Sequence, residues 1–370
     1  MKKIFYSILI FLLILLNFST VCADDVDNEV DFEDTIEVTA SNVSELPKTN
    51  SRRYIVYDRI SKSMIIGKNE DVKSAMASTT KIMTTIVILE KADLNEKVTV
   101  SAKAGGTGGS RLGLKRGDKA SVRDLLYGLM LRSGNDAAVA LAEHVGGSVK
   151  GFAELMNGKA IELGLTNTHF VTPHGLDDAN HYTTALELAK LTDYAMDNET
   201  FAKIVGTKST TIYINNQSRQ INNTNELLGV LNGVVGVKTG FTNNAGRCLV
   251  TETKRNNMDI ITIVLGADTK KDRTKDSVNL IEYTFSIIFI DVLTFMLFSA
   301  SLFMLIKEFN KWKNINEKRI LITKGKQSNP KLALGAIEKA IIPICDDDKI
   351  EYSINVLTEV EAPVEQWNVM

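Results

Sequence analysis

The sequence predicts an α+β fold: an antiparallel sheet flanked by helices, with an all-helical lobe set between its strands. Three observations carry this. β-rich runs stand near the start, Tyr54-Ile55-Val56-Tyr57 and Ser63-Met64-Ile65-Ile66, and return from about residue 209. Between them, helical patterns follow one another directly. A helical stretch at 276–285 closes the region, so the sheet must draw strands from distant parts of one domain.

Each element has a local reason. Asp58-Arg59-Ile60-Ser61 between the first two runs suggests a hairpin. Ala77-Ser78-Thr79-Thr80-Lys81 then leads into the apolar run Ile82-Met83-Thr84-Thr85-Ile86-Val87-Ile88-Leu89, the pattern of a buried helix. Val98-Thr99-Val100 reads as a short strand. Gly105-Gly106-Thr107-Gly108-Gly109 lacks the GK[ST] ending of a phosphate cradle and reads as a flexible surface loop. Helices are expected over 122–131, 137–143, 152–163 (stopped by Gly164) and 184–196. Strands follow at 210–214 and 234–239, then at 248–251 and 260–265, the last two joined through Arg255-Asn256-Asn257.

The chain has 370 residues, 44% hydrophobic and 24% charged, which is a globular composition with room for a sizeable core. A net charge of -2 gives no electrostatic case for nucleic acid. Cys22, Cys248 and Cys345 form neither a CxxC pair nor a ligand cluster. Lys2 and Lys3, the apolar run 4–16 and Val21-Cys22-Ala23 have the layout of a secretory signal peptide over 1–23, which places the mature chain outside the cytoplasm. An acidic linker, 24–46, comes next. The main domain is expected over 47–285, an apolar segment over 286–306 and a further region over 307–370.

Chemistry gathers in three motifs. Ser78 and Lys81 lie three apart, hence on one helix face. A serine hydroxyl needs a base beside it, and a lysine can be that base once burial or a neighbouring cation lowers its pKa. Alone, S-x-x-K recurs by chance. Here it is followed in order by Ser133-Gly134-Asn135 and by Lys238-Thr239-Gly240, where a glycine on a strand lets a peptide approach the sheet edge. His169, His174 and His181 do not share a helix face and read as loop and core residues, with no metal site; Cys248 reads as core.

These motifs, with Arg132-Ser133-Gly134-Asn135-Asp136-Ala137-Ala138, Leu163-Gly164-Leu165-Thr166-Asn167-Thr168-His169-Phe170 and Lys238-Thr239-Gly240-Phe241-Thr242, resemble the low-molecular-weight penicillin-binding proteins, the serine D-alanyl-D-alanine carboxypeptidases. The resemblance runs from about Arg53 to Phe285 and implies a β-lactamase/DD-peptidase-like fold. It implies that Ser78 attacks the carbonyl between the two D-alanines of a peptidoglycan stem pentapeptide, with Lys81 as proton acceptor and Ser133 as proton relay. Asn135 would hold Lys81 and substrate, Lys238 and Thr239 the terminal carboxylate, and Gly240 would leave room beside them. The N–H groups of Ser78 and Phe241 would form the oxyanion hole. β-Lactams would acylate Ser78, and no cofactor is called for.

A class A β-lactamase would need a carboxylate in E-x-x-L-N, whereas Glu162-Leu163-Gly164-Leu165-Thr166-Asn167 is out of register, so Glu162 reads as a surface residue. The same motifs also fit a D,D-endopeptidase of this fold. A non-catalytic penicillin- or wall-binding module would not need Ser78, Lys81, Ser133 and Lys238 intact. In the tail, 287–306 carries one charge, Asp291, and is followed by Lys307, Lys311 and Lys313. By length it could cross a bilayer. Yet 320–325 and 352–367 resemble the small, here incomplete, β domain that follows the catalytic domain in this family and belongs outside the membrane. The resemblance thus carries a membrane surface as a partner.

Overall fold

The computed structural model describes residues 46–326. The leader 1–23, nearly all of the acidic linker and the expected strand region 352–367 lie outside the described residues.

Strands β1 (Arg53–Asp58) and β2 (Ser63–Lys68) form the first hairpin. β1 also pairs with β9 (Met258–Ala267), Arg53 opposite Leu265 and Asp58 opposite Ile260. Strands β8 (Gly246–Arg255) and β7 (Val234–Thr242) complete an antiparallel sheet of order β2-β1-β9-β8-β7. The far ends of the domain therefore meet at the β1–β9 seam, as strands at both ends of the segment require. Strand side chains alternate between faces. Ile55 and Tyr57 accordingly join the main core with Ile261 and Ile263. Tyr54 and Val56 pack on the opposite face with Ile260, Val264 and Leu280. Burial on both faces explains why these strands read as continuous apolar runs.

The helical lobe is as expected, with two short additions. A 3-10 turn, Ala77–Thr80, opens into α1 (Lys81–Lys91). The short α2 (Ala102–Gly105) follows, then α3 (Val122–Leu131), α4 (Asn135–Gly146), α5 (Val149–Glu162) and α6 (Ala185–Met196). Side-chain oxygens of Ser121, Ser148 and Thr184 accept backbone N–H bonds at the starts of α3, α5 and α6, satisfying donors that a helix leaves open. α7 (Glu199–Val205), capped by Asn198, is too short to show a periodic pattern.

Two expectations are corrected. Strand β5 (Ser209–Ile214) does not enter the main sheet: with β3 (Lys97–Thr99), β4 (Lys119–Ser121) and β6 (Gln217–Asn222) it forms a second sheet of order β3-β4-β5-β6. β6 is hidden in the sequence because its residues are polar and, Ile221 apart, exposed. Its signal is the turn Asn215-Asn216, both at positive φ (52° and 61°), the hairpin geometry that asparagine favours.

The closing helix, expected to stop near residue 285, continues as α8 (Lys270–Lys326). No proline or glycine interrupts the sequence between 286 and 324, so nothing local ends it. The stretch 320–325, expected as strand, thus lies in helix. One compact unit ends at Phe289 within α8 and a second begins at Ile290. In the second, Phe298, Phe303, Leu305 and Trp312 are exposed. Among the described residues no helix is long and apolar enough to cross a membrane; the side chains of 288–296, inside the apolar run, lie outside them.

Candidate active site

Three segments converge on Ser78: the turn that carries it, the start of α4 and the edge strand β7. The turn places Ser78 and Lys81 as their spacing demands, with Lys81 Nζ 2.8 Å from Ser78 Oγ. Nζ also donates to Asn135 Oδ1 at 2.8 Å and to the His174 carbonyl at 2.9 Å. Three donors thus find three acceptors in a fully buried pocket. Burial first, and then the positive charge of Lys238, pushes the Lys81 pKa well below the usual lysine range; Asp136 opposes them. Once one proton leaves, the same geometry turns Nζ into an acceptor for the Ser78 hydroxyl.

The start of α4 supplies Asn135 and Asp136. Asn135 Nδ2 donates to the Gly108 carbonyl at 2.8 Å. A Cβ at Gly109 would stand 2.6 Å from that nitrogen. The glycine-rich stretch expected as a surface loop is therefore a wall of this pocket, kept bare so that Asn135 fits. The Asp136 carboxylate accepts the N–H groups of Leu112, Gly113 and Leu114 at 2.8, 2.7 and 2.9 Å, tying the same loop to α4. Ser133 sits in the turn between α3 and α4 at φ +58°, and its Oγ is buried with no hydrogen-bond partner among the described residues.

β7 brings the third motif. Lys238 is buried, and its Nζ donates to the Thr239 carbonyl at 2.9 Å. Burial, and secondly the charge of Arg273 from α8, pushes its pKa down to about 7. Thr239 Oγ1 lies 2.8 Å from Thr224 Oγ1. A Cβ on Gly240 would come within 3.1 Å of both Ala77 Cβ and the Ser78 nitrogen, so glycine here lets the strand approach the nucleophile. Phe241 is exposed, with the Arg247 guanidinium 3.8 Å above its ring.

The structure thus joins Ser78, Lys81 and Asn135 by direct hydrogen bonds and sets Gly240 against the Ser78 N–H. Lys238 is linked to Lys81 through its field rather than by contact. Sequence reasoning misses Asp136, the His174 carbonyl, Thr224 and Arg273. Asp136, beside Asn135, is the one with a local signal. His174 and His181 are buried, with pKa values pushed down to about 3 and about 4, chiefly by burial, whereas His169 is exposed. Among the described residues no group of side chains is arranged to hold a metal. Burial pushes the Cys248 thiol up to about 11, as for a core residue. Glu162 pairs with Lys159 at 2.8 Å on the surface, its side chain 61% exposed.

Known proteins place this arrangement. A relative from Bacillus subtilis, the D-alanyl-D-alanine carboxypeptidase DacF, is 37% identical over 238 residues, covering 63% of this chain and 61% of that protein. DacC of Escherichia coli, of the same description, is 39% identical over 270 residues, covering 66% and 64%. The chain spans less than two thirds of the length of these curated relatives. Among solved structures, a Streptomyces DD-transpeptidase is similar with a TM-score of 0.63 and 34% identity, covering 65% of this chain and 99% of that one. DacD from Francisella tularensis has a TM-score of 0.60 at 29% identity, covering 67% and 75%. The fold is thus that of the β-lactamase-like DD-peptidases. The family model described as D-alanyl-D-alanine carboxypeptidase matches residues 39–269, which include all three motifs. The chain belongs to the D-alanyl-D-alanine carboxypeptidase family.

Proposed function

We propose that this protein is a serine-type D-alanyl-D-alanine carboxypeptidase that removes the terminal D-alanine from peptidoglycan pentapeptides and is acylated by β-lactams. One observation carries the reading: a fully buried lysine amine, its pKa driven down, lies 2.8 Å from the hydroxyl of Ser78. Ser78 Oγ attacks the carbonyl carbon of the penultimate D-alanine, and Lys81 takes the hydroxyl proton. The developing oxyanion is held by the N–H groups of Ser78 and Phe241. Ser133, whose buried Oγ lacks a partner among the described residues, relays that proton from Lys81 to the departing amine, so free D-alanine leaves and Lys81 is neutral again. Water then attacks the ester carbonyl and gives a proton to Lys81, the bond to Ser78 Oγ breaks, Lys81 returns the proton to Oγ, and the shortened peptide leaves as a carboxylate. Lys238 and Thr239 receive the terminal carboxylate, and Asn135 aligns Lys81. The surface position of Glu162 supports a peptidase over a class A β-lactamase.

Peptidoglycan lies outside the cytoplasm, and family members act there. The basic and apolar start of the chain supports export by a signal peptide, and the apolar run 287–306 with its lysine flank supports association with the membrane. The test is direct. Purified protein should release D-alanine from an acyl-D-Ala-D-Ala peptide and gain the mass of one penicillin. S78A should lose both. Turnover that survives in S78A, or a protein that never takes up the label, would overturn the reading; rapid penicillin hydrolysis would point to a β-lactamase instead.

A further inference from the structure

The loop 171–182 does more than supply a carbonyl to Lys81. Its His181 ring has fixed roles for both nitrogens. Nδ1 accepts the N–H of Val171 at 2.9 Å and lies 3.4 Å from that of Thr172. Nε2 must therefore carry the proton. Nε2 is 2.8 Å from Thr80 Oγ1 and so donates to it. Thr80 Oγ1 in turn donates to the Ala77 carbonyl at 2.8 Å. Ala77, Thr80 and His181 are all buried.

The Ala77 carbonyl belongs to the same peptide unit as the Ser78 N–H. That unit is planar, with O and H pointing in opposite directions, so a bond that fixes the oxygen also aims the N–H. The unit needs such a hold. Ala77 sits at φ +48°, a region that a residue with a Cβ disfavours. The loop presses close on the same oxygen: a Cβ at Gly175 would come within 1.9 Å of it and 2.5 Å of Thr80 Oγ1. A second bond, from Thr84 Oγ1 to the Pro173 carbonyl at 2.7 Å, clamps the loop to α1.

We propose that His181 and Thr80 are positioning residues for the oxyanion hole: the relay His181–Thr80–Ala77 sets and polarises the N–H of Ser78 that receives the developing charge. The proposal rests on the oxyanion role proposed for that N–H. Polarisation adds to aim, because hydrogen bonds in series strengthen one another in a dry site. Deleting an oxyanion donor outright costs about 10²–10³ in rate, so loosening its support should cost less.

The test uses the full chain with T80V, which keeps the shape of the side chain and removes the hydroxyl, beside T80S, which restores it. T80V should lower kcat and kcat/KM together by about tenfold with KM unchanged, because the lost interaction is absent from the bound substrate's affinity and strongest on the oxyanion. Infrared difference spectra of the penicilloyl-enzyme should show its ester carbonyl stretch moved to higher wavenumber in T80V and back in T80S. H181L, which removes the donor to Thr80 Oγ1, should show the same shift, and it stands in if T80V does not fold. A carbonyl left unshifted by T80V and H181L, or equal losses in T80V and T80S, would overturn the relay. A wild-type acyl-enzyme whose carbonyl is not lowered from that of a free ester would instead remove the oxyanion role itself.

Discussion

Two buried clusters of charge lie on the main sheet, and they behave in opposite ways. At the edge strand β7, cations outnumber their counter-ions: Lys81 and Lys238 are both buried, Arg273 is near, and both lysines are driven towards neutrality. Elsewhere on the sheet, Arg59 at the end of β1 gathers carboxylates from three elements. It meets Asp193 at 2.9 Å and Asp197 at 2.5 Å around α6, Glu252 of β8 at 2.5 Å and Asp259 of β9 at 3.0 Å. There the arginine is held firmly charged despite its burial, while burial and the nearby Asp259 raise Glu252 to about 7. Burial is common to both. Direct contact with counter-ions separates a network that locks elements together from a site, short of them, that can move a proton, which is why a perturbed pKa alone marks neither.

The contrast can be broken at either end. The largest effect is expected from K81R. Arginine keeps the charge and cannot give up its proton at working pH, so acylation by penicillin should fall by about 10³-fold or more while the fold survives. Rapid acylation of K81R would show that the buried amine is not the base. Next comes R59A, which removes the buried cation shared by four carboxylates and leaves only Lys62 and Lys254 at the rim. Unfolding by denaturant should show a loss of about 3–5 kcal/mol, with penicillin acylation of the folded fraction unchanged. A large loss of acylation with little loss of stability would reverse the assignment of the two clusters.

The smallest effect sharpens the comparison through pH. His174 and His181 have folded pKa values of about 3 and about 4, below the unfolded 6.5. Between pH 6.5 and 4 these two rings bind more protons in the unfolded chain, and their contribution to stability falls as pH falls, while Glu252, raised to about 7, contributes in the opposite sense. Each ring's contribution should be complete above pH 6.5 and smaller by on the order of 2 kcal/mol at pH 5. Midpoints of denaturant unfolding across this range would check it, and H181Q should flatten the slope. An H181Q protein whose midpoint changes with pH as the wild type's does would contradict a buried, neutral ring.

What is legible in the sequence follows from local rules. The β1–β2 hairpin, helices α3 to α6 and the strands β7 to β9 announce themselves by periodicity, caps and turn residues. Ser78 and Lys81 can be paired because three positions apart means one helix face. β6 is hidden because an exposed strand needs no apolar residues, and the true length of α8 because a helix end without a breaker leaves no mark. The glycine-rich stretch 105–109 misleads for a different reason. Its glycines serve a neighbour distant in sequence, the Asn135 amide, and nothing beside them says so.

By itself, then, the order of residues singled out the hydroxyl, the amines and the bare strand of the proposed chemistry, since those depend on spacing and side-chain type. Only the tertiary structure decided how each group would behave. It surrounded Lys81 with acceptors, brought Lys238 near enough to depress it, and ran a hydrogen-bond relay from His181 to the peptide ahead of Ser78. Desolvation, field and aim are properties of what surrounds a group, and those surroundings come from segments far apart along the chain.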